Sequence, residues 1–286
     1  MPLVSIVTPC LNAARFIGET VRSVLDQDYP DIEYLIVDGA STDGTLDVLA
    51  SYGTRVRVAS APDRGQADAV NRGFAQTRGS LFAFLNADDL YHAGAIRAAV
   101  EAFAFHPEAA AVYGEARYID ESGRGVGSYP VEPFEPALFA RRCFICQPAA
   151  FVRRDAFGAC GMLDASLRYA LDYDFWIRLS ASYPMLKIDR VLADSRLHAA
   201  SKTLAEMPAA MLETIEVLRR HYGYVPYNWL YGYAHRLRTQ QALASARPAA
   251  SFGSACRSLA MGARYNWRHP LRFGVDILST ARESLA

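Results

Sequence analysis

The chain has 286 residues, 51% of them hydrophobic and 21% charged, with Lys+Arg and Asp+Glu balanced at 30 each. That composition excludes a disordered or fibrous chain, and the zero net charge gives no electrostatic reason to capture nucleic acid. The neutrality is a sum of two unlike parts: residues 1–218 carry 20 basic and 28 acidic side chains, whereas residues 219–286 carry ten arginines against Asp276 and Glu283. Such asymmetry marks a boundary, and the length suits one domain with a smaller appendage.

The five cysteines are odd in number and scattered, so no disulfide framework is implied. Cys143-x-x-Cys146 has no second pair to complete a zinc site and reads as two small apolar residues. The N-terminal Met-Pro-Leu-Val-Ser-Ile-Val enters a strand pattern at once, with no basic leader region. With no uninterrupted apolar window of about 18 residues, the expected location is cytoplasmic, reaching a membrane only from its inner face as a peripheral protein.

In chain order, Val4–Thr8 and Tyr34–Val37 are β-branched apolar runs, read as strands buried on both faces. A helix over residues 16–25 follows the first and stops at Asp28-Tyr-Pro30. After the second, Ser41-Thr-Asp-Gly44 offers capping oxygens to a helix containing Leu46, Val48 and Leu49. Arg55–Ala59 and Ser80–Leu85 read as further strands, Gln66–Thr77 and Ala93–Phe105 as further helices. This alternation predicts an α/β fold with a Rossmann-like, doubly wound, mostly parallel sheet, which binds ligands beyond the carboxyl ends of its strands. Residues 111–129 read as a hairpin around Asp120–Gly123, Asp172–Leu179 as a helix and Val191–Ala193 as a last strand. Four helices, 209–222, 227–244, 250–265 and 270–284, form a C-terminal extension.

Polar residues at the strand ends carry the chemistry. Asn86-Ala-Asp88-Asp89 sets two carboxylates after the fourth strand, suited to Mg²⁺ or Mn²⁺ on a diphosphate, or to a solvated turn. Asp38 has the chemistry to accept from a nucleotide's imide or ribose, or to close an Asx turn. Arg64 offers a planar donor fork to a phosphate, or to a surface ion pair.

Four blocks stand in order: Thr8-Pro9-Cys-Leu-Asn12; Val37-Asp38-Gly39-Ala-Ser41-Thr42-Asp43-Gly44-Thr45; Asp63-Arg64-Gly65-Gln66 with Ala69, Asn71 and Gly73; and Asn86-Ala-Asp88-Asp89. Together they make residues 3–203 resemble the family 2 glycosyltransferases of the GT-A fold. The resemblance implies an inverting enzyme. Its donor would be a nucleotide-diphosphate sugar, UDP-linked first and GDP- or dTDP-linked as alternatives. Its acceptor would be a saccharide or a polyisoprenoid-linked saccharide in polysaccharide or glycoconjugate synthesis. It implies that Thr8, Pro9, Asn12 and Asp38 line the nucleotide pocket, with Asp38 on the base, and that Arg64 borders it. It further implies that Asp88 contacts ribose, and that Asp89 ligates a divalent metal, Mn²⁺ or Mg²⁺, with His198 completing the shell.

Leu171-Asp172-Tyr-Asp174-Phe-Trp176 looks like the family's acceptor-side motif, which makes Asp172 the candidate base and Asp174 its rival. Gln147 falls where relatives place polar residues near the donor sugar. Trp176 is a sugar platform or core, and Arg196 and Lys202 face the diphosphate or solvent. Many relatives have Glu where Leu171 stands, which keeps open a non-catalytic nucleotide-sugar-binding or scaffold protein.

The expected organisation is a catalytic domain at 1–205, with a nucleotide-sugar half at 1–110 and an acceptor half at 111–205, and a basic, aromatic helical extension at 206–286. In the extension, Tyr222, Tyr224, Tyr227, Trp229, Tyr231 and Tyr233 precede Arg236 and Arg238, a mixture common at membrane interfaces. Phe252, Ala255, Cys256, Leu259, Ala260 and Ala263 repeat at helical spacing as an apolar stripe. Its expected cover is the catalytic domain, a second subunit of a homo-oligomer, or an anionic membrane surface.

Overall fold

β1 (Val4–Cys10) is buried along its whole length because parallel strands covered on both faces need apolar side chains at every position. It lies between β2 (Ile32–Asp38) and β4 (Leu81–Phe84), parallel to both, and β2 pairs in parallel with β3 (Arg57–Ser60). The register sets Cys10 opposite Asp38 and Asp38 opposite Ser60, so three polar side chains meet at one carboxyl edge. The computed structural model in which these elements are seen describes residues 1–199, 201, 205–245 and 251–283.

Helices α1 (Ile17–Leu25), α2 (Thr45–Ala50), α3 (Gln66–Gln76) and α4 (Ala95–Phe105) follow the strands as the apolar spacing predicts. Close approach of α3 to the sheet requires Gly73: a Cβ there would stand 2.5 Å from Val7 Cγ1. β5 (Leu90–Tyr91), two residues long, escapes any periodicity test.

The second half of the sheet is mixed. β6 (Ala111–Ile119) forms a hairpin with β7 (Gly125–Ser128), and β8 (Ala150–Arg153) inserts antiparallel between β4 and β6. β9 spans Met185–Arg196, far beyond the apolar Val191–Ala193, because it runs parallel to β6, with exposed Asp189 and Arg190 bulging out where the register shifts between Ile188 and Val191. The strand order is β3-β2-β1-β4-β8-β6-β9-β5. Between β8 and β9 lie α5 (Arg154–Ala159) and α6 (Leu171–Ser180). β9 delivers Arg196 and His198 to the loop that follows β4.

These elements make one unit, Met1–Glu135 with Cys143–His198; Pro136–Arg142 and Ala199–Ala286 make a second. The first unit thus ends at His198 rather than 205, and a short mid-chain segment counts with the helices. The second unit contains α7 (Met207–Tyr222), α8 (Tyr227–Ser245), α9 (Ser251–Tyr265) and α10 (Pro270–Glu283) around Ile215, Tyr224, Val225, Leu230 and Phe273. The sequence stripe on α9 is turned outward: Cys256, Leu259, Ala260 and Ala263 are exposed, and the helix buries Ser254, Ser258 and Gly262 instead. Small side chains let a neighbouring helix approach closely, and Phe273 occupies the space over Gly262.

Candidate active site

At the end of β2, Asp38 is fully buried and saturated with donors. Its Oδ1 accepts from Ser41 Oγ (2.5 Å) and from the Cys10 thiol (3.6 Å), and its Oδ2 from the N–H groups of Ala40 and Ser41 and from Ser60 Oγ (2.6 Å). Burial alone would raise this carboxyl; the Ser41 and Ser60 hydroxyls and the Ser41 N–H outweigh it and hold the group ionised below its ordinary range. Thr8 is likewise buried, its hydroxyl 3.0 Å from Tyr34 OH, and Pro9 lies beside it in the buried strand. Asn12, at φ +51°, ties the first loop to the second: its N–H donates to Ser41 Oγ and its Oδ1 accepts from Thr42 N–H. The side chains of Thr8 and Asp38 are therefore committed to the scaffold rather than turned toward a base.

A more accessible carboxylate on this edge than Asp38 is Asp63, which the sequence leaves as the companion of Arg64. A Cβ on Gly39 would stand 2.8 Å from Asp63 Oδ2, so the absence of a side chain at position 39 admits the carboxylate. Asp63 Oδ1 accepts from Gly65 N–H (2.8 Å), and Oδ2 accepts no hydrogen bond among the described residues. A glycine directly after the buried strand-end aspartate is the signal that marks the exchange. Arg64 extends into solvent and pairs with Asp68 at 2.9 Å.

The loop after β4 separates its two acids. Asp89 is 4% exposed; its Oδ1 accepts from Arg196 N–H (3.0 Å) and its Oδ2 from Asn86 Nδ2 (3.0 Å). Burial, and then the charge of Asp88, push its carboxyl up to about 8. Asn86 also accepts from Gln66 Nε2 (2.6 Å) and contacts Gln147 Oε1 (3.3 Å), while Gln147 donates to Phe84 O (2.6 Å). Gln147 is thus a buried brace for the loop. Asp88 is partly exposed, with Oδ2 2.8 Å from His198 Nε2. A carboxylate and an imidazole are donors that Mn²⁺ or Mg²⁺ accepts, and with no third such group beside them among the described residues, further ligands would come from phosphate and water.

Arg196 faces the protein rather than the diphosphate. Its guanidinium reaches Asp88 O (2.9 Å), Asp120 O and Glu121 O (3.2 Å each) and Glu19 Oε2 (2.7 Å), and it lies over the Phe16 ring. His198 packs on the same ring, with centroids 5.0 Å apart. Arg196 therefore clamps α1, the β4–β5 loop and the β6–β7 turn together. Lys202 lies outside the described residues.

On α6 the two acids again part. Asp174 is buried, with its Oδ2 2.8 Å from Arg178 Nε, and Arg178 continues to the carbonyls of Cys160 and Met162. Asp172, in the first turn, is only half-buried; its Oδ1 accepts from Tyr173 N–H, and burial raises its carboxyl to about 6. Trp176 is 2% exposed, packs edge-on against Phe175 and has an unpartnered indole N–H, so it is core and not a sugar platform. Leu171 is also core. Burial, and then the charges of Asp89 and Asp172, raise the Cys146 thiol, so both carboxylates lie near it; burial and Asp172 raise Cys143 and Tyr129 as well.

Comparison with known proteins bears on the family and the fold. The model of glycosyl transferase family 2 matches residues 5–160. The chain is 34% identical over 182 residues to a PGL/p-HBAD biosynthesis glycosyltransferase of Mycobacterium tuberculosis, covering 62% of this chain and 69% of that protein. It is 28% identical over 215 residues to an uncharacterized glycosyltransferase of Rickettsia prowazekii, covering 71% and 66%. Two solved structures share the fold. S. aureus TarS 1–349 in complex with UDP-GlcNAc aligns with a TM-score of 0.60 and 16% identity over 82% of this chain and 81% of that one. The mannosyltransferase PcManGT from Pyrobaculum calidifontis, in complex with GDP-Man and Mn²⁺, aligns with a TM-score of 0.60 and 18% identity over 100% and 81%.

Proposed function

The chain belongs to glycosyl transferase family 2, and from that premise we propose that it moves a sugar, with inversion, from a nucleotide-diphosphate donor to a saccharide or lipid-linked saccharide. The observation that carries the proposal is Asp172: half-buried, raised to about 6, and free of the ion pair that occupies Asp174. A base that takes a hydroxyl proton near neutral pH needs such a carboxyl. Asp172 takes the proton of the acceptor hydroxyl as that oxygen bonds to the anomeric carbon; the bond from that carbon to the diphosphate oxygen breaks, and its electron pair leaves with the nucleotide.

We assign donor binding to the segments that follow β3, β4 and β9. Asp88 and His198 are the side chains offered to a divalent metal, in place of Asp89, whose two oxygens are already bonded within the protein. When bound, such a metal supplies a Lewis acid for the charge that grows on the leaving diphosphate. Asp63 Oδ2 is an acceptor for the imide N–H of a uracil, and Arg64 a donor for phosphate. A guanine also presents a ring N–H, so the UDP-sugar assignment is tested against GDP- and dTDP-sugars directly.

Leu171, the residue that keeps a non-catalytic protein in view, points into the core, where an acid could not meet an acceptor. Release of nucleoside diphosphate from a panel of sugar nucleotides, with Mn²⁺ or with EDTA, tests the assignment. Turnover with a UDP-sugar that EDTA abolishes is expected, with NMR of the product reporting the inverted anomer. Tight nucleotide-sugar binding without turnover on any acceptor would favour the scaffold.

A further inference from the structure

We propose that the second unit carries a docking face for an anionic lipid surface, made by the outward apolar side of α10, Trp267 ahead of it and the arginines beside them. The proposal does not rest on sugar transfer, because lipid binding is measured without donor or acceptor.

The observation behind it is a helix that is apolar on two opposite sides. At about 100° per residue, Phe273, Asp276, Ile277 and Thr280 of α10 share one side, which meets the unit's core. Leu271, Val275 and Leu278 share the opposite side and are 87%, 69% and 64% exposed. One apolar stripe suffices for a helix packed on a core; a second has no reason to face water. Trp267, in the turn ahead of α10, is 68% exposed with the Arg268 guanidinium 4.9 Å above its ring, and Leu259 on α9 is also exposed.

The charges around these residues select the occupant. Arg257, Arg264, Arg268 and Arg272 are all exposed, and the only acid between residues 253 and 280 is Asp276. Asp276 is drawn inward by Arg141 (3.4 Å), Tyr224 OH (3.1 Å) and Tyr227 N–H, so it neutralises none of the outward cations. In a two-fold contact between copies the same arginines would meet one another, which opposes self-association. Anionic headgroups neutralise them while Trp267 and the Leu and Val side chains enter the interface beneath.

The test uses the full chain with phosphatidylcholine vesicles, plain or with about a third phosphatidylglycerol, and co-sedimentation at low and high salt. Binding to anionic vesicles is expected to be roughly tenfold or more tighter than to neutral ones, and to weaken with salt. Leu271→Asp with Val275→Asp should abolish it while the circular dichroism spectrum and thermal transition stay unchanged. Arg264→Ala with Arg268→Ala should weaken anionic binding about tenfold and leave neutral vesicles unaffected. Should the paired aspartate substitutions unfold the unit, Leu278→Ser carries the same test. Equal affinity for both vesicles, or full binding by the folded Leu271→Asp, Val275→Asp protein, overturns the proposal. So does a dimer by light scattering that those substitutions dissolve with no vesicle binding, which would make a second copy the occupant.

Discussion

Two segments of the candidate site each set a pair of aspartates within three residues: Asp88 and Asp89 after β4, and Asp172 and Asp174 at the start of α6. In each pair the fold consumes one member. Asp89 is closed in by Arg196 N–H and Asn86, and Asp174 by Arg178; Asp88 and Asp172 keep accessible oxygen. The consumed acid anchors the loop or helix that presents the other, and the two consumed acids are held differently. Asp174 is neutralised by a full cation, whereas Asp89 has only neutral donors, so its burial and the like charge of Asp88 raise its carboxyl to about 8.

The largest effects on activity are expected at the accessible acids. Asp172→Asn is expected to lower kcat about 1000-fold with nucleotide affinity unchanged, read by steady-state kinetics and calorimetry. If the variant transfers sugar at the normal rate, the base is elsewhere. Asp174→Asn should act on stability, at about 3 kcal/mol read as a fall in Tm, because Arg178 would lose the charge that justifies its burial. Asp88→Asn should weaken Mn²⁺-supported nucleotide binding about 50-fold, with Mn²⁺ uptake followed by electron paramagnetic resonance. Asp89→Asn should leave that metal uptake much nearer normal; the reverse ranking would return the metal to Asp89.

The finest effect is in pH. A base must be ionised, and Asp172 is raised to about 6, so kcat/KM should climb about tenfold per unit up to pH ~6 and level off above it. In Asp172→Asn that limb should vanish from the residual rate. Stability moves the other way: a carboxyl raised by folding favours the protonated native state, so its contribution is full below the unfolded value near pH 4 and fades as pH rises through about 6.

Much of the molecule was legible in one dimension. The first four strands, the helices after them and the four helices beyond residue 205 announce themselves because periodicity, caps and Pro-Gly punctuation are local. The loop blocks after β1, β2, β3 and β4 were legible for the same reason. β8 was hidden, since Ala150–Arg153 becomes a strand only when β4 and β6 flank it, and so was most of β9, whose polar stretches are strand only through their pairing with β6.

The order of residues alone marks which loops hold the candidate site. Long-range packing sets which side chain in each loop keeps an accessible polar atom. Asp89 is spent on Arg196, 107 residues away, Gly39 is overlain by Asp63, and the α9 stripe faces outward because Gly262 admits Phe273 on the other side. Burial and hydrogen-bond saturation are set by partners distant in the chain, and no local pattern of residues encodes them.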